Sequence, residues 1–328
     1  MNRKTSMEKF RDPARSSRSM IDARLALLPT PLVAAPNLAA ALGLRHVWIK
    51  RDDIVGPGLG GNKARKLATI LERAELADID TLVTGGATQS NHARITTAIA
   101  AVLGLRSDLV LAGAEPQRPS ANLLLDQLLG ADITFVRDVG YDGLDAAIED
   151  RAATLRELGR RPLVIPIGAA TADGVDAYRS AGHELAGQVD RVDYVFVADG
   201  SGSTHAGLAA GLATTRVVGV DVGIRPDLSD AVDRMYREAG GTGTITIDAD
   251  HIDGGYGIVG ERTRRAITTL ARTEGLLLDP VYSAKALAAL MTWARDGRIP
   301  KDAAVVFWHT GGTPALFANR YAEAFTAR

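Results

Sequence analysis

The sequence predicts an α/β protein built on parallel sheet, and three observations carry that expectation. Short, continuous apolar runs alternate with longer stretches in which apolar residues recur at helical spacing. Runs that are apolar along their whole length are strands buried on both faces, and the helices between them supply the crossovers that parallel pairing needs. Several runs end in glycine: Thr84-Gly85-Gly86, Ile167-Gly168, Asp199-Gly200 and Thr310-Gly311-Gly312. Ligands of open α/β sheets bind beyond the carboxyl ends of strands, so these turns are the first places to look for a site.

In chain order, strands are expected at 47–50, 81–84, 108–112, 133–136, 163–167, 194–198, 217–222 and 304–308. Amphipathic helices are expected at 62–76, 90–103, 144–158, 206–213 and 283–294, and loops at 240–243 and 254–260. No internal repeat or low-complexity segment interrupts the pattern. The 328 residues suffice for a large core and for two lobes. A formal net charge of −1 argues against a broad nucleic-acid or anionic-membrane surface. No apolar run reaches the roughly 18 residues of a spanning helix. There is no cysteine, which excludes disulfides, thiolate zinc sites and cysteine nucleophiles and fits a reducing, cytoplasmic setting. Residues 1–20 are rich in Arg and Ser and lack the apolar stretch of a secretory signal. Glu8 and Asp12 count against a transit peptide, so this segment reads as a loosely ordered tail or an arm on a partner subunit.

Only seven of the 38 basic residues are lysines, and two of them, Lys63 and Lys66, share one glycine-rich segment. Gly56, Gly58 and Gly61 formally satisfy a dinucleotide fingerprint. Pro57, however, removes an amide donor from the turn, and the next strand ends in Thr84-Gly85 rather than in a ribose-binding acid. A P-loop needs lysine where Asn62 stands. What remains is a lysine at a helix start, where cations are disfavoured and an amine pKa is lowered. These features alone leave open whether Lys63 is a solvated surface residue or one that chemistry uses.

A second glycine turn, Asp199-Gly200-Ser201-Gly202-Ser203-Thr204-His205, joins a strand to a helix. Five consecutive small or hydroxyl residues, Gly200, Ser201, Gly202, Ser203 and Thr204, exceed what a helix cap requires and favour an anion cradle over a plain tight turn. No magnesium-ligand pattern accompanies it and no metal site is expected. A phosphate held without metal points to a cofactor, and with a lysine at hand to pyridoxal 5′-phosphate. The turn Thr88-Gln89-Ser90-Asn91-His92 opens another helix and suits a substrate carboxylate, although Ser90 also reads as an ordinary N-cap and His92 as a hydrogen-bonded bystander.

The residues now meet a family. Gly60-Gly61-Asn62-Lys63-x-Arg65-Lys66-Leu67 resembles the cofactor-lysine motif of the 1-aminocyclopropane-1-carboxylate (ACC) deaminase and D-cysteine desulfhydrase family. Gln89-Ser90-Asn91-His92-x-Arg94, Leu28-Pro29-Thr30-Pro31-Leu32, Ile49-Lys50-Arg51-Asp52-Asp53, Asp279-Pro280-Val281-Tyr282 and His309-Thr310-Gly311-Gly312 match further signatures in family order. The resemblance implies the tryptophan synthase β-like fold, type II among pyridoxal-phosphate enzymes, with two parallel or mixed sheets flanked by helices. It implies a large cofactor domain from residues 1–64 and 173–328, a small inserted domain at 65–172, and a homodimer.

Residue by residue, the resemblance implies that Lys63 carries the cofactor and takes the Cα proton, and that Asn91 contacts its phenolic oxygen. Gly200, Ser201, Gly202, Ser203 and Thr204 hold the phosphate, with Thr310 and Ser283 completing the cofactor set. Thr88, Gln89, Ser90 and His92 form the substrate-carboxylate set, with Ser90 also able to shuttle a proton. Tyr256 and Tyr282 face substrate and cofactor, core packing being their alternative. ACC deaminases carry glutamate at the position of Ser283 and glutamine at that of His92, so both places favour the desulfhydrase side. Ala68, Ile95 and Ser203 depart from the usual desulfhydrase pattern. The expected activity is α,β-elimination from a small β-substituted alanine. L-cysteate sulfo-lyase and ACC deaminase are the alternatives within the family, and a non-catalytic binding or regulatory protein the alternative outside it.

Overall fold

The structure is a computed structural model that describes residues 25–137 and 139–326, so the tail at 1–20 lies outside the described residues. Its strands form two sheets. The larger, in order β1-β2-β10-β7-β8-β9, contains β1 (Leu32–Ala34), β2 (His46–Arg51), β7 (Tyr194–Asp199), β8 (Arg216–Asp221), β9 (Thr246–Asp248) and β10 (Ala304–His309). All its pairings are parallel except β1 with β2. The smaller, in order β5-β4-β3-β6, is wholly parallel and contains β3 (Thr81–Ala87), β4 (Arg106–Ala112), β5 (Asp132–Val136) and β6 (Pro162–Val164).

Eleven α-helices are described: α1 (Pro36–Leu42), α2 (Lys63–Arg73), α3 (Asn91–Leu103), α4 (Ala121–Leu128), α5 (Tyr141–Glu157), α6 (Ala172–Ala186), α7 (Ser203–Gly211), α8 (Leu228–Glu238), α9 (Glu261–Glu274), α10 (Ser283–Arg295) and α11 (Asn319–Thr326). The period-2 pleat divides the large sheet between two cores. Phe196, Val218 and Phe307 pack with Leu38, Leu270, Leu287 and Trp293 of α1, α9 and α10. Val195, Val197, Val306 and Trp308 face the opposite way, onto Tyr178 and Leu185 of α6 and Leu208 of α7. In the small sheet, Leu82 meets Leu67, Leu71, Ile95 and Ile99 of α2 and α3, while Val83 meets Leu144 and Ile148 of α5.

All eight strands expected from continuous apolar runs form. β1 and β9 escape that reading because each is three residues long, too short for a period, and exists only by pairing at a sheet edge. The strand expected at 163–167 pairs only as β6. Pro166 has no amide to donate, and residues Ile167–Ala169 turn into a short 3-10 helix. The helix expected at 206–213 starts at Ser203, so the glycine turn runs directly into its first residue.

One buried polar network ties the large sheet to the helix that begins at Lys63. Asp52 accepts from Arg65 Nε at 3.0 Å and Nη2 at 2.9 Å, from Tyr178 Oη at 2.7 Å, from Trp308 Nε1 at 2.8 Å and from Thr30 Oγ1 at 2.8 Å. Arg65 also grips both Glu184 oxygens at 2.9 Å, and Lys50 donates to Glu184, Gln188 and Thr30. Asp52 has five donors for one fully buried carboxylate, so it is ionised and held below the usual carboxylate range against the opposing effect of burial.

Candidate active site

The four glycine-ended strand turns meet at one cavity. Gly86, Gly168, Gly200 and Gly311 all lie in its wall. Lys63, the first residue of α2, also lines it. Backbone crossing sets this position: Asn62 N–H donates to Thr310 O at 2.9 Å, and a Cβ on Gly311 would lie 2.7 Å from Gly61 Cα. Glycine is therefore required where these two turns touch.

Lys63 is a partly buried amine facing the cavity, not a freely solvated one. Burial pushes its ammonium down to about 8, with the contact to Lys66 and the Asp199 charge holding it partly up. Lys66, one helical turn on, is fully buried and donates to Ser203 Oγ at 2.7 Å, with its ammonium 5.6 Å from the Tyr178 ring centroid. Burial and the neighbouring Lys63 charge push Lys66 well below the usual lysine range. The motif supplied Lys66 as a signature residue, but no role was read for it. Its i, i+3 spacing from Lys63 was the available signal, since that spacing places both amines on one helical face.

Across from Lys63, the turn before α7 forms the second wall. Gly200, Ser201, Gly202 and Thr204 line the cavity. Gly202 has φ +95°, a conformation that favours glycine, and a Cβ there would also press on the Met235 methyl at 2.6 Å. No side chain among the described residues caps α7, which leaves the amides of its first turn, at the positive end of the helix dipole, for a ligand. Ser203 is the exception in this loop. Its hydroxyl accepts from Lys66 and lies outside the wall, so its side chain acts on the lysine rather than on the cavity.

The third wall is the start of α3. Ser90 Oγ accepts from Ala93 N–H at 3.1 Å as an N-cap and lines the cavity at the same time, leaving its own proton to donate. Asn91 and His92 also line it. His92 Nε2 lies 2.9 Å from Thr84 Oγ1, whose proton goes to Ile165 O at 2.7 Å, so the ring nitrogen is the donor there. Burial and the charges of Lys63 and Lys66 hold this imidazole neutral, well below its usual range. Thr88 and Gln89 stand apart from the cavity. Gln89 donates to Ser120 O at 3.0 Å and accepts from Asn122 N–H at 3.0 Å, which joins α3 to α4. The substrate-carboxylate set thus loses these two side chains.

Tyr256 and Tyr282 close the fourth side, with their hydroxyls 2.6 Å apart and rings in edge contact. Burial pushes Tyr256 up to about 12, and burial together with Tyr256 pushes Tyr282 well above its usual range, so both are neutral phenols able to donate. Thr310 lines the cavity beside Gly311. Ser283 does not. Its hydroxyl donates to Asp279 Oδ1 at 2.6 Å and accepts from Asp279 N–H at 3.0 Å. Asp279 in turn accepts the amides of Val281, Tyr282 and Ser283, closing the start of α10. The expectation that the Ser283 hydroxyl faces a cofactor is corrected accordingly, because that hydroxyl is consumed within the helix start. Asp199, which the sequence reading passed over, is in the wall instead, with Oδ2 on His205 Nδ1 at 2.8 Å.

The donor set fits pyridoxal phosphate. Ser201 Oγ is buried in the wall without a partner among the described residues, next to uncapped helix amides and two lysines, as an anionic phosphate demands. An amine depressed to about 8 is partly neutral near physiological pH, as bond formation to an aldehyde demands.

Comparison with known proteins agrees with this geometry. The family model described as "Pyridoxal-phosphate dependent enzyme" matches residues 23–311. D-cysteine desulfhydrases of Salmonella newport and Salmonella typhimurium are each 38% identical over 309 residues, covering 88% of this chain and 93% of theirs. A crystal structure of an ACC deaminase homologue superimposes with TM-score 0.84 at 34% identity, covering 93% of this chain and 97% of that one. Threonine deaminase isoform 2 from Solanum lycopersicum superimposes with TM-score 0.68 at 15% identity, covering 94% and 85%, a likeness that speaks to the fold alone. The two-sheet α/β architecture is the tryptophan synthase β-like fold, and the chain belongs to the family of pyridoxal-phosphate-dependent enzymes.

Proposed function

We propose that the enzyme performs α,β-elimination on a small β-substituted alanine in the manner of a D-cysteine desulfhydrase, releasing pyruvate, ammonia and sulfide. The observation that carries the reading is the meeting, in one cavity, of a Lys63 amine of lowered pKa, an uncapped α7 start and a pair of neutral phenols. The curated desulfhydrases matched across most of both chains support the same assignment.

In this reading Lys63 holds the cofactor covalently, the backbone at Gly200, Ser201, Gly202 and Thr204 binds the phosphate, and Asn91 meets the phenolic oxygen. Lys66 sits behind Ser203 and donates to its hydroxyl, bracing the phosphate loop. Bound pyridoxal phosphate supplies the electron sink that lets a Cα–H bond ionise. Lys63 would be the base for the Cα proton, its amine pKa lowered by burial. The Ser90 hydroxyl and the first amides of α3 bind the substrate carboxylate at a helix N-terminus. The Tyr256–Tyr282 pair delivers a proton to the departing sulfur, since a neutral phenol is the available acid. His92, neutral and fixed to Thr84, packs the wall beside Ser90.

The likeness to an ACC deaminase homologue supports one second reading, ring opening of ACC to 2-oxobutyrate and ammonia. The matching glutamate position is Ser283, so that route lacks a carboxylate there. We further read residues 65–172 as a small domain inserted between 1–64 and 173–328, a division that follows the membership of the two sheets. A cytoplasmic homodimer is the setting we propose. The exposed apolar side chains Leu124, Leu128 and Phe317, on α4 and the turn packed beside it, support a partner surface. Among the described residues no helix is long and apolar enough to cross a membrane.

The test is a product assay on the purified holoenzyme against D-cysteine, L-cysteine, β-chloro-D-alanine, L-cysteate and ACC. Pyruvate and sulfide from D-cysteine with the highest kcat/KM support the proposal. Turnover of ACC alone would replace it with the deaminase reading.

A further inference from the structure

We propose that Asn122, on α4 and outside the cavity wall, is a positioning residue that determines which end of the Asn91 side-chain amide faces the cofactor. The inference rests on the pyridoxal-phosphate reading and on the place of Asn91 in it. It begins at Arg94, which is fully buried and can only donate hydrogen bonds. Its Nη2 donates to Gly60 O at 3.1 Å, anchoring it to the glycine turn before Lys63, and its Nε donates to Asn122 Oδ1 at 2.8 Å. Asn122 must therefore present its oxygen to Arg94, and its Nδ2 is left for the opposite side. There Nδ2 donates to Gln89 O at 2.9 Å, an acceptor that also admits no reversal, and to Asn91 Oδ1 at 2.8 Å.

Polarity passes along the chain one step further. Asn91 lines the cavity, and with Oδ1 engaged by Asn122 its remaining polar group is the Nδ2 amine. Gly312 leaves room for that amine: a Cβ at this position would lie 2.5 Å from Asn91 Nδ2. The cavity thus shows a donor at Asn91, and the donor is specified by the Arg94 guanidinium, which lies outside the cavity wall and acts through Asn122. A donor at this point favours an ionised phenolic oxygen over a protonated one. Reversing either amide would set N–H against N–H in a buried place, which leaves a donor unsatisfied.

Asn122→Asp keeps an acceptor for Arg94 and the side-chain shape but has no proton for Asn91, whose amide is then free to turn. The experiment follows the pH titration of the visible cofactor band in wild type, N91A, N122D and the double variant, with melting temperature as the check on folding. N122D is expected to raise the midpoint by about one pH unit, the tenfold effect of one lost hydrogen bond. Once Asn91 is alanine, adding N122D should shift it no further. Asn122→Ala removes the donor without adding charge and is expected to reproduce the shift, so it also serves should N122D not fold. An unshifted N122D or N122A beside a shifted N91A overturns the proposal, as does a shift that simply adds to that of N91A, which marks a through-space charge effect. A wild-type protein that never acquires the band sinks the cofactor reading itself, and this inference with it.

Discussion

Removing the Arg65 guanidinium is expected to destabilise the fold strongly while leaving the cavity's residues in place. Arg65 and Asp52 belong to the motifs that resemble a cofactor site, yet neither lines the cavity. Arg65 makes two hydrogen bonds to Asp52, at 3.0 and 2.9 Å, and two to Glu184 at 2.9 Å, with side-chain exposures of 3% for Arg65 and 0% for Asp52. Arg65→Met fills most of the same volume and removes the charge. Asp52 then keeps only Tyr178, Trp308 and Thr30 as donors, all neutral, inside a site without water access. Breaking a buried pair by removing one partner costs about 3 to 5 kcal/mol, which is the loss expected at pH 7 by urea unfolding.

The pH dependence follows from the shift. In wild type, Asp52 and Glu184 are held below the usual carboxylate range, so their contribution is present above the unfolded-state value and is lost as pH falls through the folded one. In Arg65→Met, burial dominates at Asp52, its carboxyl is raised, and protonation relieves the penalty. The gap between variant and wild type should therefore shrink by half or more between pH 7 and pH 4. A loss under about 1 kcal/mol, or a gap that does not change with pH, would refute the argument that an uncompensated buried carboxylate is the cause.

Other outcomes follow from the same geometry. Cofactor uptake by apoenzyme should quicken about tenfold per pH unit and level off above about pH 8, because only the neutral Lys63 amine reacts; stopped-flow absorbance measures it. Tyr282→Phe breaks the 2.6 Å contact to Tyr256 and should lower kcat for D-cysteine about a hundredfold, but much less for β-chloro-D-alanine, whose chloride leaves without a proton. Steady-state pyruvate assays separate the two. Gly202→Ala places a methyl 2.6 Å from Met235 at a φ of +95°, so equilibrium titration should show cofactor binding weakened at least tenfold.

How much of this was legible in the sequence depended on whether a signal was local. Eight strands were readable because their short apolar runs are continuous, as burial on both faces allows. β1 and β9 were not, because three residues carry no period and their pairing partners are remote. The four glycine turns were the places to look, since ligands bind beyond strand ends, but that turns from two different sheets share one cavity appears only in the fold. Side-chain direction was the part that did not transfer. Gln89 sits in a signature motif and Ser283 directly follows one, but Gln89 hydrogen-bonds the start of α4 and Ser283 closes the start of its own helix, so neither side chain reaches the cavity. A motif records which residues occur together. It does not say whether a hydroxyl reaches a ligand or closes a helix. Lys66 and Asp199 were passed over for the converse reason. Their importance comes from burial beside Lys63, which only the packing of α2 against α6 and α7 creates.

The central claim is that Lys63 carries pyridoxal phosphate in this cavity. The most direct measurement is the absorbance spectrum of purified wild-type protein and Lys63→Ala, each after incubation with pyridoxal phosphate and removal of the excess. The account predicts a visible cofactor band in wild type that survives desalting and is absent from Lys63→Ala at unchanged melting temperature. A band of equal strength in both proteins would contradict it, because the cofactor would then be held by another amine.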